Sequence, residues 1–123
     1  MDDIWQVLFV LNLSLFFVHE MDAVKSREWR MFIVLKTMKE DKARLVFLLL
    51  HIPLYAAILL LLLSPERQVL FYVMDVFLIC HAALHFGFRS HANNGFTSTF
   101  SILVIYVMGA VSAVHLIGIL LAA

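Results

Sequence analysis

Four long apolar stretches, at about residues 4–23, 43–63, 69–86 and 97–121, constrain most strongly what this chain can fold into. A helix that crosses a lipid bilayer needs about 20 mostly apolar residues. The chain has 123 residues, of which 63% are hydrophobic and 15% charged, whereas soluble domains are about 45–50% apolar. The sequence therefore predicts an all-α, polytopic membrane protein, with residues 1–123 forming a single transmembrane domain built as a four-helix bundle.

The basic residues predict how this bundle is oriented. The loop between the first two stretches and the first turn of the second stretch together contain seven Lys and Arg residues. The loop between the last two stretches contains Arg89, whereas the opposite end has only Arg67. Cytoplasmic loops are enriched in Lys and Arg. We therefore expect an integral protein of a bacterial inner membrane, with both loops in the cytoplasm and both termini on the non-cytoplasmic side.

The balance of charge bears on possible partners. Formal net charge is zero, which gives no electrostatic case for binding nucleic acid. Membrane lipid is the expected partner, and association into a homo-oligomer is a second expectation. A single cysteine, Cys80, excludes a metal site made only of thiolates.

The first basic loop carries its own apolar residues. Trp29 and an apolar run at residues 31–35 alternate with basic side chains. This pattern is typical of a short helix in the headgroup layer, with Lys and Arg extending toward water. We predict an interfacial helix at about residues 28–40, which serves either as a spacer or as a lid over one end of the bundle.

Five of the six histidines are predicted to lie at a similar depth. Counting 1.5 Å per residue from the nearest cytoplasmic basic residue, His19 and His51 lie roughly 9 and 10 Å inside the membrane, and His85 and His81 roughly 6 and 12 Å. His91 lies in the loop just outside. Three helices and one loop thus direct imidazoles into one layer.

The helical spacing also brings these side chains to common faces. His81 and His85 are four residues apart and His19 and Asp22 three apart, so each pair projects from one side of its helix. Ionisable groups inside a membrane usually face the bundle interior and have a function. Imidazoles and a carboxylate are good ligands for zinc, iron or manganese, and zinc is preferred here over iron. The predicted metal ligands are His19, Asp22, His51, His81 and His85; the candidate general bases are Glu20 and Glu28; and His91 is a substitute or supporting group.

A second polar pair is predicted near the other face of the membrane. Asp75 and His115 should lie within about one helical turn of each other in depth. A buried ion pair that fixes helix packing is one interpretation, and a proton relay toward the inner histidines is another.

At these residues the chain resembles a family of small four-span membrane proteins of unknown function whose first span ends in a HEMDA…EWR block. Here that block reads His19-Glu20-Met21-Asp22-Ala23 followed by Glu28-Trp29-Arg30. The chain is also similar, more loosely, to the HXXEE family of predicted membrane metal enzymes. In that comparison His19 and Asp22 match the first His and Glu, His81 and His85 match an HxxxH block, and Ala23 departs from the second Glu. The resemblance implies a metal-binding bundle.

Several functions are compatible with these patterns. The first is a metal-dependent membrane hydrolase or oxidoreductase that acts on a lipid-like substrate. The second is a haem-binding or electron-transfer protein with histidines on facing helices. The third is a transporter. The fourth is a structural subunit whose histidines only join helices by hydrogen bonds.

Overall fold

The computed structural model describes residues 3–123, and within that range every long element is helical. The helices are α1 (Asp3–Lys25), α2 (Glu40–Leu63), α3 (Arg67–Gly87) and α4 (Thr99–Ala122). All four are long and apolar enough to cross a membrane. The predicted all-α class with four membrane-spanning helices is confirmed, and membrane localisation is supported on the same grounds.

α1, α3 and α4 form the central packing unit, and α2 lies beside it. In the most apolar part of α2 only 11% of residues are buried inside the protein, compared with 33–44% in the other three helices. Two apolar clusters fill the interior. One, around Phe16, Phe71 and Met108, lies toward the termini, and the other, around Trp29 and Phe96, lies toward the two basic loops.

The segment between α1 and α2 contains two short 3-10 helices, Glu28–Met31 and Leu35–Thr37, in place of one continuous interfacial helix over residues 28–40. The cause is burial, because Glu28, Trp29 and Leu35 turn inward and leave Phe32, Ile33 and Val34 exposed. In a continuous helix Phe32 would lie on the same face as Glu28 and Leu35, so it could not be exposed while those two residues are buried. The inner residues cover the end of the bundle.

The two basic loops pack against each other at one end of the protein. Asn93 Nδ2 donates a hydrogen bond of 3.2 Å to the carbonyl of Arg30. At Gly95 an added Cβ would lie 2.2 Å from the carbonyl oxygen of Ser26, so the close approach of the two backbones requires glycine. This contact places the loop ends of α1, α2, α3 and α4 together.

Candidate metal centre

Three imidazoles from two helices converge at the loop end of the bundle. The Nε2 atom of His19 on α1 lies 2.8 Å from the Nε2 atom of His81 on α3, and His85 Nε2 lies 3.1 Å from the same atom. The helical spacing explains the second contact, because residues four apart on α3 face one direction. The first contact joins side chains of α1 and α3 across the interior of the bundle, because each of these helices packs mainly against α4.

A carboxylate from the loop joins these imidazoles. Glu28 Oε1 lies 3.5 Å from His85 Nε2 and 3.8 Å from His81 Nε2. The chain reaches this position through Arg27, whose backbone adopts the left-handed conformation (φ 53°, ψ 51°) immediately after α1. That single turn directs Glu28 back toward the helices, where it is only 4% exposed.

The electrostatics of Glu28 favour its ionised form. Burial by itself would raise the pKa of this carboxyl, but contact with His85 and the neighbouring His81 and His19 outweighs burial and lowers the pKa below its ordinary value. A carboxylate that stays ionised among imidazoles is suited to bind a cation.

The geometry of the four side chains fits a single divalent metal ion. One donor atom from each of His19, Glu28, His81 and His85 lies within 4.8 Å of every other. With zinc–ligand bonds of about 2.0–2.1 Å, tetrahedral donors lie roughly 3.3 Å apart. The separations of 2.8 and 3.1 Å between nitrogens, and of 3.5 and 3.8 Å to the carboxylate, bracket that value.

Hydrogen bonds alone satisfy this arrangement poorly. His81 Nε2 faces two other ring nitrogens at once, yet it carries either one proton or one lone pair. It can therefore act only as a donor to both or as an acceptor from both. A cation that accepts all three lone pairs satisfies the nitrogens together. Among the described residues, His19 Nδ1 is also buried without a hydrogen-bond partner.

Aromatic side chains hold the imidazole rings in place. Phe96 stacks on His19 with ring centroids 5.3 Å apart and meets His85 edge-on at 4.6 Å. Phe77 stacks on His81 at 5.3 Å. These apolar walls limit water and hold the donor atoms toward a common point.

Other residues predicted as ligands or bases lie near this group but outside it. Glu20 of α1 forms a hydrogen-bonded pair with His51 of α2, so these two residues bind each other. Asp22 is half-buried, and its Oδ2 atom is buried without a partner in the part of the chain that the structure describes. Glu28, predicted as a general base, occupies the position beside the imidazoles.

The remaining polar residues singled out in the sequence lie elsewhere. His91 is exposed in the α3–α4 loop, where its Nδ1 accepts a hydrogen bond from the Asn93 backbone. His115 and Asp75 form a fully buried pair, with Nδ1 and Oδ2 2.6 Å apart.

A small cavity opens onto the candidate metal centre. It has a volume of about 180 Å³. Its wall consists of two imidazoles and a carboxylate of the centre together with apolar side chains: His81, His85, Glu28, Met31, Phe32, Leu84 and Phe88. The centre is thus accessible through a predominantly apolar opening between the first 3-10 helix and the end of α3.

Comparison with known proteins adds a family but no function. Residues 5–122 match the profile of a family of unknown function, DUF6713. The chain belongs to this family. Neither a curated protein nor a solved structure matches the chain. The expected small family of unknown function is therefore confirmed, and four apolar helices with a buried His/Glu group are what the structure of this DUF6713 member shows.

Proposed function

We propose that this DUF6713 protein is a metal-dependent enzyme of the membrane, with one divalent transition metal held by His19, His81, His85 and Glu28. The observation that carries the proposal is the convergence of three Nε2 atoms and one carboxylate oxygen within 4.8 Å. Three imidazoles and a carboxylate favour zinc, with iron as the second choice. The looser similarity to the HXXEE family of predicted membrane metal enzymes also supports a metal-dependent enzyme.

The surroundings of this centre support a lipid-like substrate. The opening beside Glu28 is mainly apolar, and Phe32, Ile33 and Val34 are exposed next to it. The excess of Lys and Arg in the two loops supports placing this end at the cytoplasmic side of a bacterial inner membrane. Both termini then lie on the opposite side, and the substrate comes from the cytoplasmic leaflet.

The chain supplies further groups with defined roles in this proposal. A bound metal ion would polarise a carbonyl or phosphoryl oxygen, or lower the pKa of a water to about 7. Glu20, held by His51, is the candidate general base. Asp22 and the unpartnered Nδ1 of His19 lie one helical turn apart, so Asp22 is suited to orient that ring, directly or through water.

The separations between ring nitrogens favour a single ion over haem. A porphyrin iron takes its two axial nitrogens from opposite sides of the macrocycle, at about 2 Å each. Nitrogens 2.8 and 3.1 Å apart leave no space for a macrocycle between them. Haem binding is therefore the less favoured proposal, and an absorption spectrum without a Soret band in metal-loaded protein would remove it.

Elemental analysis of the detergent-purified protein tests the metal centre. We expect close to one zinc or iron per chain in the wild type and in His91→Ala, whose imidazole is exposed outside the group. The double variant His19→Ala/His81→Ala should lose the metal while circular dichroism shows an unchanged helical content. Absence of metal after purification without chelators, together with an unchanged melting temperature on adding zinc, iron or manganese, would refute the proposal.

Comparison of lipid extracts tests the catalytic part. Extracts incubated with the wild type and with His81→Ala should differ in the masses of specific lipids, with added water indicating hydrolysis and lost hydrogen or added oxygen indicating oxidation. Identical lipid profiles for metal-loaded wild type and the variant would refute the enzyme activity but not the metal binding.

A further inference from the structure

A second, larger cavity lies on the other side of His85, between the end of α3 and the start of α4. Its volume is about 410 Å³. Arg89 is the cationic side chain in its wall, and the described residues contribute no acidic side chain to that wall. Ile102, Ile105 and Phe96 make the rest of the wall largely apolar. The cavity therefore combines one positive charge with apolar side chains, next to the loop between α3 and α4.

Arg89 is free to bind an anion. Arg27, Arg30 and Arg44 pair with carboxylates of Glu40 or Asp41, but within residues 3–123 Arg89 has no carboxylate partner. Its Nη1 donates to the carbonyl of Phe86 at 2.7 Å, and its guanidinium lies 3.9 Å above the Phe86 ring. These contacts use one of its five N–H groups and fix the guanidinium in place.

Other donors line the same cavity. The hydroxyl groups of Thr97 and Tyr106 have no hydrogen-bond partner among the described residues, and both side chains are partly exposed. Asn94, by contrast, is held within the loop, since its Nδ2 donates to the Arg89 carbonyl and its Oδ1 accepts from the Phe96 backbone. Asn94 thus fixes the loop, while a guanidinium and two hydroxyls remain available. This set of donors is suited to phosphate oxygens.

An apolar groove continues from this cavity along the membrane-facing side of α3 and α4. It shares Tyr106 with the cavity, has a volume of about 330 Å³, and is lined by Ile79, Ala82, Ala83, Phe86, Gly109 and Ala110. The helices approach closely at its base, because a Cβ added to Gly109 would lie 2.6 Å from the Cβ of Ala82. A groove of small residues beside larger ones is suited to hold an acyl chain.

We infer that this cavity and groove form a binding site for an anionic phospholipid, with the phosphate at Arg89, Thr97 and Tyr106 and an acyl chain along the α3–α4 groove. Charge complementarity favours a net anionic lipid over a zwitterionic one, because the formal charge that the described residues give this wall is the positive charge of Arg89. The bound headgroup lies beside His85, which also belongs to the candidate metal centre. That this lipid is also the substrate rests on the proposed function; its binding does not.

Native mass spectrometry of the detergent-purified protein tests the inference. Phosphatidylglycerol and phosphatidylcholine with identical acyl chains are added at equal concentrations. We expect phosphatidylglycerol to bind about fivefold better to the wild type. Arg89→Gln should weaken phosphatidylglycerol binding about tenfold and remove the preference, whereas Arg67→Gln, at the other end of α3, should bind like the wild type.

A second set of measurements tests the role of the groove and asks whether free phosphate binds in place of the lipid. Ala110→Leu fills an exposed position of the groove and should weaken binding of both lipids. Inorganic phosphate should not displace phosphatidylglycerol, and displacement would show a site for free phosphate instead. Unchanged phosphatidylglycerol binding in Arg89→Gln, or an equal loss in Arg67→Gln, would overturn the inference.

Measuring the metal content of each variant distinguishes the test of lipid binding from the test of the metal centre. Arg89→Gln should retain the metal of the wild type, and His19→Ala/His81→Ala should retain phosphatidylglycerol binding. Wild-type protein that binds the lipid but no metal would refute the proposed function alone. Wild-type protein that binds metal but shows no preference for the anionic lipid would refute this inference alone.

Discussion

Glu20 of α1 and His51 of α2 form a hydrogen-bonded pair that joins two membrane helices. His51 Nδ1 lies 2.6 Å from the carbonyl oxygen of Phe47, so this nitrogen carries a proton and donates it. Nε2 of the same ring faces a carboxylate oxygen of Glu20. A proton must therefore lie between these two atoms, on the ring or on the carboxyl. This pair fixes α2, the least buried helix, beside the candidate metal centre.

The first prediction concerns this pair. In a double-mutant cycle, Glu20→Gln and His51→Ala should show a coupling of about 1–2 kcal/mol in the free energy of unfolding, because each residue satisfies the other in a nearly dry interface. Denaturation in detergent followed by circular dichroism measures it. Both variants should keep the metal, since neither residue belongs to the converging group; metal loss in His51→Ala would make His51 a ligand.

The second prediction compares Glu28 with Glu40, the exposed acidic residue at the start of α2. Glu28→Gln should lower metal affinity at least about 10–100-fold, because it removes the anionic donor among three neutral imidazoles. Glu40→Gln is the matched control, since Glu40 is exposed and pairs with Arg27 and Arg30. Its loss should cost about 0–1 kcal/mol of stability. Titration with a competing chelator measures both affinities, and equal affinities would exclude Glu28 as a ligand.

The third prediction uses two glycines at the loop end of the bundle. Gly95→Ala should destabilise the fold by about 1–3 kcal/mol and weaken metal binding, because the new Cβ would lie 2.2 Å from the Ser26 carbonyl oxygen and would separate the two loops. At Gly87 an added Cβ meets nothing within 4 Å. Gly87→Ala should therefore be neutral or stabilise by up to about 1 kcal/mol. Thermal unfolding with and without metal tests both variants, and equal melting temperatures for them would contradict the prediction.

The sequence was sufficient to predict the helices and to bring three of the histidines to one level of the bundle. Apolar length alone predicts four spans, and counting residues from the nearest basic side chain places His19, His81 and His85 in one layer. Counting along a helix axis gives no lateral position, however. His51 has the same depth as His19, yet it faces Glu20, because α2 packs beside the other three helices rather than among them.

The position of Glu28 depended on contacts that periodicity does not reveal. A helical pattern over residues 28–40 would direct Trp29 to the headgroups, but Trp29 is 1% exposed and anchors the loop inside the bundle. The left-handed turn at Arg27, a position without glycine or asparagine, gives no sequence signal. The same limit applies to Thr97 and Tyr106, whose hydroxyls gain a role only where α3 and α4 enclose a cavity.

The last prediction concerns Asp75 and His115, which form a buried hydrogen-bonded pair outside the candidate metal centre. Asp75 lies six residues, or about 9 Å along α3, from His81. Asp75→Ala should cost about 2–4 kcal/mol, because it leaves the fully buried His115 without its partner. Asp75→Asn retains an acceptor for His115 Nδ1 and should cost less, and replacing both residues by leucine should recover part of the loss. Unfolding in detergent measures stability, and elemental analysis should find unchanged metal content in every variant that folds. A folded Asp75→Ala protein that has lost its metal would contradict a purely structural role and would connect this pair to the histidines at the opposite end.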